Sequence, residues 1–336
     1  MTPPLRVGVV GTGSLGYHHA RILRDVPGAV MQGFHEANPE RAATVERELG
    51  VRSFPTLDAL IAETDLLTIV VPTKAHHAVA KQALAAGRHL LIEKPITATI
   101  EEADELLALA ESNGALVQIG HIERFNRAIR AALPHVDHPL FIDSDRLAPF
   151  SPRGADVAVV LDLMIHDIDL LLTLTGAAVH DVAAVGIPVL TPSLDIANAR
   201  ITFANGAVAT ITASRVSRDR MRKLRIFQRN GYLSLDLAAG TGEMYRLRKD
   251  MDLAAMIQQA QALEAFVERV PLEAPDGEPL RLELESFVAA SRGESPVAVT
   301  GRDGREALAV ALRIVREIER SLPAVAGLRA GAVSGA

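Results

Sequence analysis

The sequence predicts an α/β chain of two domains, a doubly wound parallel sheet followed by an α+β domain on a mainly antiparallel, open sheet. Three observations carry this. Short apolar runs alternate with helical stretches over the first 120 residues, the pattern of right-handed βαβ crossovers. The first of these runs leads directly into G-x-G-x-x-G at Gly11–Gly16. Beyond residue 120 two Asn-Gly pairs sit between apolar runs; type I′ hairpin turns need positive φ at both central positions, which makes Asn-Gly the strongest short hairpin signal.

Leu5–Val10 reads as a buried parallel strand because its apolar run shows no polar alternation. A helix follows from about Ser14 to Arg24, then a strand over Ala29–His35 and a helix over Arg41–Leu49. Leu66–Val71 is the third strand, and Ala75–Ala86 a helix that Gly87 closes. Arg88–Glu93 is the fourth strand, stopped by Pro95. Thr99 and Glu102 open the next helix as a capping box, Asn113-Gly114 ends it, and Ala115–Ile119 completes a domain assigned to residues 1–120. The second domain, 121–323, holds a helix over Asp156–Leu174 and two hairpins. Asn205-Gly206 joins Ala199–Phe203 to Ala207–Ile211, and Asn230-Gly231 joins Leu224–Gln228 to Tyr232–Leu237. An amphipathic helix over Gly304–Ser321 precedes a flexible Ala/Gly-rich tail at 324–336.

The 336 residues include no cysteine, which excludes disulfides, Cys-ligated metals and a thiolate nucleophile. With 49% hydrophobic and 23% charged residues the composition is that of an ordinary globular chain. A net charge of −6 gives no general reason to bind nucleic acid or an anionic membrane. The longest apolar stretch, Val157–Leu174, contains Asp162, His166, Asp167 and Asp169, so no membrane insertion is expected and a cytoplasmic location is.

In the glycine motif Gly11 permits the tight turn, Gly13 lets backbone approach a pyrophosphate, and Gly16 allows close helix–strand packing. The helix N-terminus at Ser14 and Leu15 offers amide hydrogens and partial positive charge. Glu36 lies twenty residues beyond Gly16, at the end of the second strand, where it accepts hydrogen bonds from a ribose. It favours NAD by repelling a 2′-phosphate, while Arg41 nearby keeps NADP possible. The bland alternative is a purely structural turn.

Glu93-Lys94-Pro95 and Pro72–His76 follow strands at the carboxyl edge, where open α/β sheets bind ligands. Lys94 there can polarise a hydroxyl or ketone; equally, it can be a solvated strand-end lysine, and His76 part of an ordinary helix start. Asp162, His166 and Asp169 are spaced i, i+4, i+7 and would share one helix face, fit for general acid/base work or for a hydrogen-bonded structural histidine. Three such groups on one helix are not a diagnostic metal set, and no metal is expected. Gly120–Asn126, with Arg124, reads as cleft lining or as a linker. The segment 215–229 holds seven basic residues and one Asp, either a solvated face or a phosphate patch.

Taken together, Gly11–Gly16, Pro72 with His76, Glu93-Lys94-Pro95 and the run Asp162–Asp169 resemble the Gfo/Idh/MocA oxidoreductase family, from Leu5 to about Ser321. The resemblance implies a Rossmann domain and an NAD(P)-dependent dehydrogenase acting on CH–OH groups, with its active site in the cleft between the domains. It implies that Lys94 contacts nicotinamide and the substrate hydroxyl and that His166 is the general acid/base. Asp162 would bind substrate or orient the site, Asp169 would support it, and Pro72, His76 and Glu93 would line the cofactor. It further implies that the open sheet forms the interface of a homodimer or homotetramer. Residues 120–128, 146–153, 159–170 and 195–206 are similar to members that oxidise the 3-hydroxyl of UDP-N-acetylglucosamine for lipid A or surface polysaccharide synthesis. Arg124 and the basic segment would then suit the diphosphate, although Arg127 stands where that pattern has proline. The alternatives are a dehydrogenase of a free sugar, inositol or other polyol, a non-catalytic dinucleotide-binding regulator, and a methyltransferase.

Overall fold

Leu5–Val10 (β1), Ala29–His35 (β2), Leu66–Ile69 (β3), His89–Glu93 (β4) and Val117–Gly120 (β5) form a wholly parallel sheet in the order β2-β1-β3-β4-β5. The connections are α1 (Ser14–Leu23), α2 (Pro39–Leu49) with α3 (Leu57–Glu63), α4 (Thr73–Ala85) and α5 (Ile100–Ser112). This computed structural model describes residues 3–151, 154, 157–248 and 267–332, the last eleven through their helical backbone alone. The strand order reverses at β1, which places a ligand crevice at the carboxyl ends of β1 and β3.

Local chemistry sets the helix starts. The Asn38 side chain accepts the amides of Glu40 and Arg41 to cap α2, and the Thr99/Glu102 capping box is fully formed. Helix α3, absent from the sequence expectations, is seven residues long with only Leu60 and Ile61 buried, too short for periodicity to show.

Residues 277–309 return to this first unit, so it is discontinuous in the chain rather than closed at residue 120. The cause is one face of α8 (Pro279–Ser291): Leu280, Leu284, Phe287 and Val288 join Val7, Val9, Ala20 and Leu23 in a single buried cluster. Arg21 of α1 donates to Glu278 at 2.7 Å at the edge of that contact.

The second unit comprises 126–276 and the chain beyond 309. Its strands are β6 (Phe141–Leu147), β7 (Val179–Ile187), β8 (Ile196–Phe203), β9 (Val208–Ser214), β10 (Met221–Gln228), β11 (Gly231–Asp236), β12 (Thr241–Leu247) and β13 (Val267–Leu272). They form one sheet in the order β13-β12-β11-β10-β6-β9-β8-β7. Every neighbouring pair is antiparallel except β6–β9, which is parallel. Both Asn-Gly pairs lie at the expected hairpins, β8–β9 and β10–β11, but neither Asn205 nor Asn230 has positive φ, so the turns are not the type I′ turns expected, and Gly231 is already paired with Gln228. The inward face, with Ile142, Ala209, Ile211, Leu224 and Ile226 fully buried, packs against α7 (Ile165–Thr175). On the opposite face Phe141, Phe227, Tyr232 and Tyr245 stack in a half-exposed row with ring centroids 5.6, 5.4 and 4.8 Å apart.

The final helix, α9 (Gly301–Ala332), continues past the expected end at Ser321, so residues 324–332 are helical where a flexible tail was expected. Four of those nine residues are Ala, the best helix former, which offsets the two glycines among them. Residues 333–336 and the expected helix start at Asp156 lie outside the described residues.

Candidate active site

At the mouth of β1 the three motif glycines have three different environments. Gly11 has φ +85°, and a Cβ there would stand 2.8 Å from the Val70 carbonyl oxygen. A Cβ on Gly16 would come within 2.0 Å of the Gly11 oxygen, so only glycine lets α1 lie this close to the turn. Around Gly13 no atom lies within 4 Å of where a Cβ would stand, which leaves that side open to a ligand. Gly13 is also the N-cap of α1 and provides no side-chain cap, and the first turn holds no acidic residue. The positive end of the helix, at Ser14 and Leu15, is thus neither capped by a Gly13 side chain nor met by an acidic residue of its own first turn, which suits a pyrophosphate.

Glu36 reaches this loop from the end of β2. Its Oε2 accepts the Thr12 amide at 2.7 Å and the Thr12 hydroxyl at 3.3 Å, and its Oε1 accepts the Asn38 amide at 3.0 Å. Arg41 donates from Nε to the Thr12 carbonyl at 2.8 Å and lies over the Tyr17 ring. Its guanidinium thus braces the loop from the outside.

The ends of β3 and β4 adjoin the same loop. Pro72 is exposed at the start of α4, and Lys94 is half-buried just beyond β4, in a cis Lys94–Pro95 unit. Glu93 turns inward. Its Oε1 lies 3.3 Å from Nε2 of the fully buried His19 of α1, and its Oε2 accepts the Lys94 amide at 3.2 Å. A Cβ on Gly120 would meet Oε1 at 2.8 Å, so the carboxylate occupies the space a side chain would take. Burial raises the Glu93 pKa, but the His19 ring and the adjoining Lys94 charge outweigh it and hold the carboxyl below its ordinary value. Glu93 is therefore a buried anion beneath Lys94 rather than a lining of the cofactor pocket, a correction to its expected role. His19 was not anticipated; the available signal was a histidine sharing the buried face of α1 with Gly16, Ala20 and Leu23.

His76 is likewise buried, at 1% exposure. Its Nδ1 lies 2.9 Å from the Pro95 carbonyl and its Nε2 2.9 Å from the Val71 carbonyl. Both ring nitrogens face backbone carbonyls. Arg124, expected at a substrate diphosphate, is only 15% exposed and directs Nη1 to the Ala298 carbonyl at 3.3 Å and to Asp303 at 3.5 Å. Its guanidinium is committed to the 298–303 segment.

In the second unit, Asp162 and His166 fall on either side of a change in helix type. Val160–Met164 is one π turn, and α7 begins at Ile165. The wider turn rotates less per residue than an α turn, so Asp162 and His166 stay on one face, and Asp169 follows His166 at i, i+3 on α7. Asp162 and His166 are half-buried, whereas Asp169 is buried at 1% and so does not share their exposure. Asp167 is turned inward too, and receives both a 2.6 Å bond from Arg146 Nε and a 3.1 Å bond from its Nη2. At 3% and 1% exposure these side chains form a buried fork that pins α7 to β6. The sequence signal for it was Arg146 sharing the inward register of Ile142 and Ser144.

The basic segment 215–229 is mostly spoken for. Arg215 is buried, donates to the carbonyls of Gly154, Val157 and Leu194, and lies 3.7 Å from Asp195. Asp195 is itself fully buried, yet the amides of Val189, Leu190 and Thr191 hold its pKa down to about 2 against the upward push of burial. Lys223 pairs with Asp236 and Arg225 with Asp143 on the sheet. Arg218, Arg220 and Arg229 are the exposed members outside these pairs, so the segment is not one continuous phosphate patch. Among the described residues no group of three or more acidic or histidine side chains is placed to hold a metal ion, and no helix is long and apolar enough to cross a membrane.

Residues 5–121 match the oxidoreductase family with an NAD-binding Rossmann fold, GFO/IDH/MocA, and residues 127–234 match the GFO/IDH/MocA C-terminal domain. UDP-N-acetylglucosamine 3-dehydrogenase of Acidithiobacillus ferrooxidans is 41% identical over 95% of this chain and 98% of its own length. A solved structure of that enzyme superposes with a TM-score of 0.87 at 39% identity, covering 94% of this chain and 98% of the other. The NAD(+)-dependent scyllo-inositol 2-dehydrogenase of Bacillus subtilis is 28% identical over 65% of this chain and 69% of its own.

Proposed function

Because this chain belongs to the GFO/IDH/MocA oxidoreductase family and carries its NAD-binding Rossmann domain, we propose that it oxidises the 3-hydroxyl of a UDP-N-acetyl-hexosamine to a ketone, in lipid A or surface polysaccharide synthesis. The observation that carries the substrate is the 41% identity to the UDP-N-acetylglucosamine enzyme over nearly the full length of both chains. The inositol relatives support a polyol as the second reading.

In this reading the open side of Gly13 and the N-terminus of α1 hold the pyrophosphate, and Glu36 accepts from the adenosine ribose. Bound NAD supplies the acceptor for the hydride on the carbinol carbon. Lys94, a cation over the buried Glu93 anion, donates a hydrogen bond to the substrate oxygen and steadies its developing negative charge. His166 takes the hydroxyl proton as the C–O bond becomes a carbonyl, and Asp162 orients the reacting group. NADP remains possible, because Arg41 already stands beside the loop.

The reading includes a cytoplasmic homodimer or homotetramer. Its support is the half-exposed aromatic row on the open face of the second sheet and the exposed Val185, Val189 and Leu190 in and just after β7. Light scattering is expected to give two or four times the 35.9 kDa chain mass.

The test of the reaction is reduced-cofactor formation with NAD or NADP across UDP-sugars, free sugars and inositols. Turnover is expected with UDP-N-acetylglucosamine and NAD. Turnover of a free polyol with no nucleotide sugar accepted would replace this substrate by the second reading.

A further inference from the structure

We propose that His76 is a positioning residue for Lys94, acting through the Pro95 carbonyl; the inference rests on the reading above that Lys94 works on the substrate.

Lys94 ends in a flexible four-carbon stem, so the accuracy of its ammonium depends on how firmly its backbone is held. On its N-terminal side the Lys94 amide donates to Glu93 Oε2 at 3.2 Å, and that carboxylate is faced by His19. On its C-terminal side the next residue has φ fixed by its ring and no amide to donate. A further handle is the Pro95 carbonyl, and His76 Nδ1 sits 2.9 Å from it. The same ring reaches the Val71 carbonyl, also at 2.9 Å, beyond the end of β3. One imidazole on α4 therefore lies between a carbonyl of the loop after β3, which adjoins the glycine turn, and a carbonyl of the loop that bears Lys94, and as a neutral ring it can bond only one of them.

The ring cannot find a substitute partner in water, since it is 1% exposed. Burial also lowers its pKa below the ordinary histidine value, against the pull of the two carbonyls. A neutral imidazole donates from one nitrogen only, and the Lys94 role assigns that proton to Nδ1 and Pro95. His76 touches neither substrate nor cofactor in this account. It fixes the geometry of a group that does.

Two substitutions separate the ring's two contacts. His76→Asn places an amide donor near Nδ1, toward Pro95, whereas His76→Gln places one near Nε2, toward Val71. The Gln variant is expected to lose about 10- to 100-fold in kcat, the scale of a 1 Å misplacement of a reacting group. Its KM for the sugar and its NADH dissociation constant, read by fluorescence titration, are expected to stay within about threefold. The Asn variant is expected to recover at least half of the loss on a logarithmic scale. Equal kcat in wild type and His76→Gln, with Lys94→Ala inactive, overturns the inference and leaves the functional reading standing. Weaker NADH binding in both variants with unchanged kcat overturns it in favour of a cofactor-lining role. Full activity in Lys94→Ala overturns the functional reading instead. If the Gln variant does not fold, the Asn variant decides: kcat near wild type supports the inference, and a hundredfold loss refutes it.

Discussion

Alanine at His166 is expected to lower kcat by about 10²- to 10⁴-fold, the range that a positioned general base contributes. The proton of the substrate hydroxyl must leave as the hydride does, and His166 is the histidine beside the π turn that also carries Asp162. Lys94→Ala is expected to fall in a similar range, because it removes a cation from the oxygen on which charge develops. On the proposed reading the two losses should not add, since both residues would serve the same oxygen and one deletion would already spoil the proton transfer. NADH binding should survive in all three proteins, because the glycine turn and Glu36 are untouched. Measured kcat values and a fluorescence titration decide the matter. A Lys94→Ala, His166→Ala double variant with wild-type turnover would remove the catalytic assignment and return the chain to a dinucleotide-binding regulator.

The second large effect is on stability. Asp167→Ala strands the Arg146 guanidinium at 3% exposure with its carboxylate gone. Removing one partner of a buried ion pair costs about 3–5 kcal/mol, because the survivor stays charged and out of water. An exposed pair such as Lys223–Asp236 is worth at most about 1 kcal/mol by comparison. Urea unfolding should show the loss as a lower midpoint. Replacing both partners by apolar residues, Arg146→Met with Asp167→Leu, should restore much of it, since the buried charges then vanish together. A loss below about 1 kcal/mol in Asp167→Ala would mean that the fork does not hold α7 to β6.

The sequence yielded the elements that depend on local chemistry. The glycine turn, the Thr99 capping box and the two Asn-Gly hairpins each follow from steric or hydrogen-bonding demands met within a few residues, and all appear where expected. The carboxyl-edge location of Lys94 and Pro72 followed from strand direction. What stayed hidden depends on distant partners. Glu93 looked like a pocket residue until His19, on a different element, claimed its carboxylate. Arg124 looked free for a phosphate until Ala298 and Asp303 proved to be beside it. The π turn was not legible because helical periodicity presumes a regular helix. The parallel β6–β9 pair was equally invisible, since its strands lie about sixty residues apart with a helix and two strands between them.

The return of residues 277–309 to the first unit bears on how the protein is made. A ribosome releases β1 and α1 early, yet Leu280, Leu284, Phe287 and Val288, which seal their shared apolar cluster, emerge only after some 255 further residues. Throughout that interval the nascent chain presents Ala20, Leu23 and their neighbours without their final cover. The element that starts first in synthesis is thus among the last to be closed, and a fragment ended at residue 120 would carry a permanently open flank.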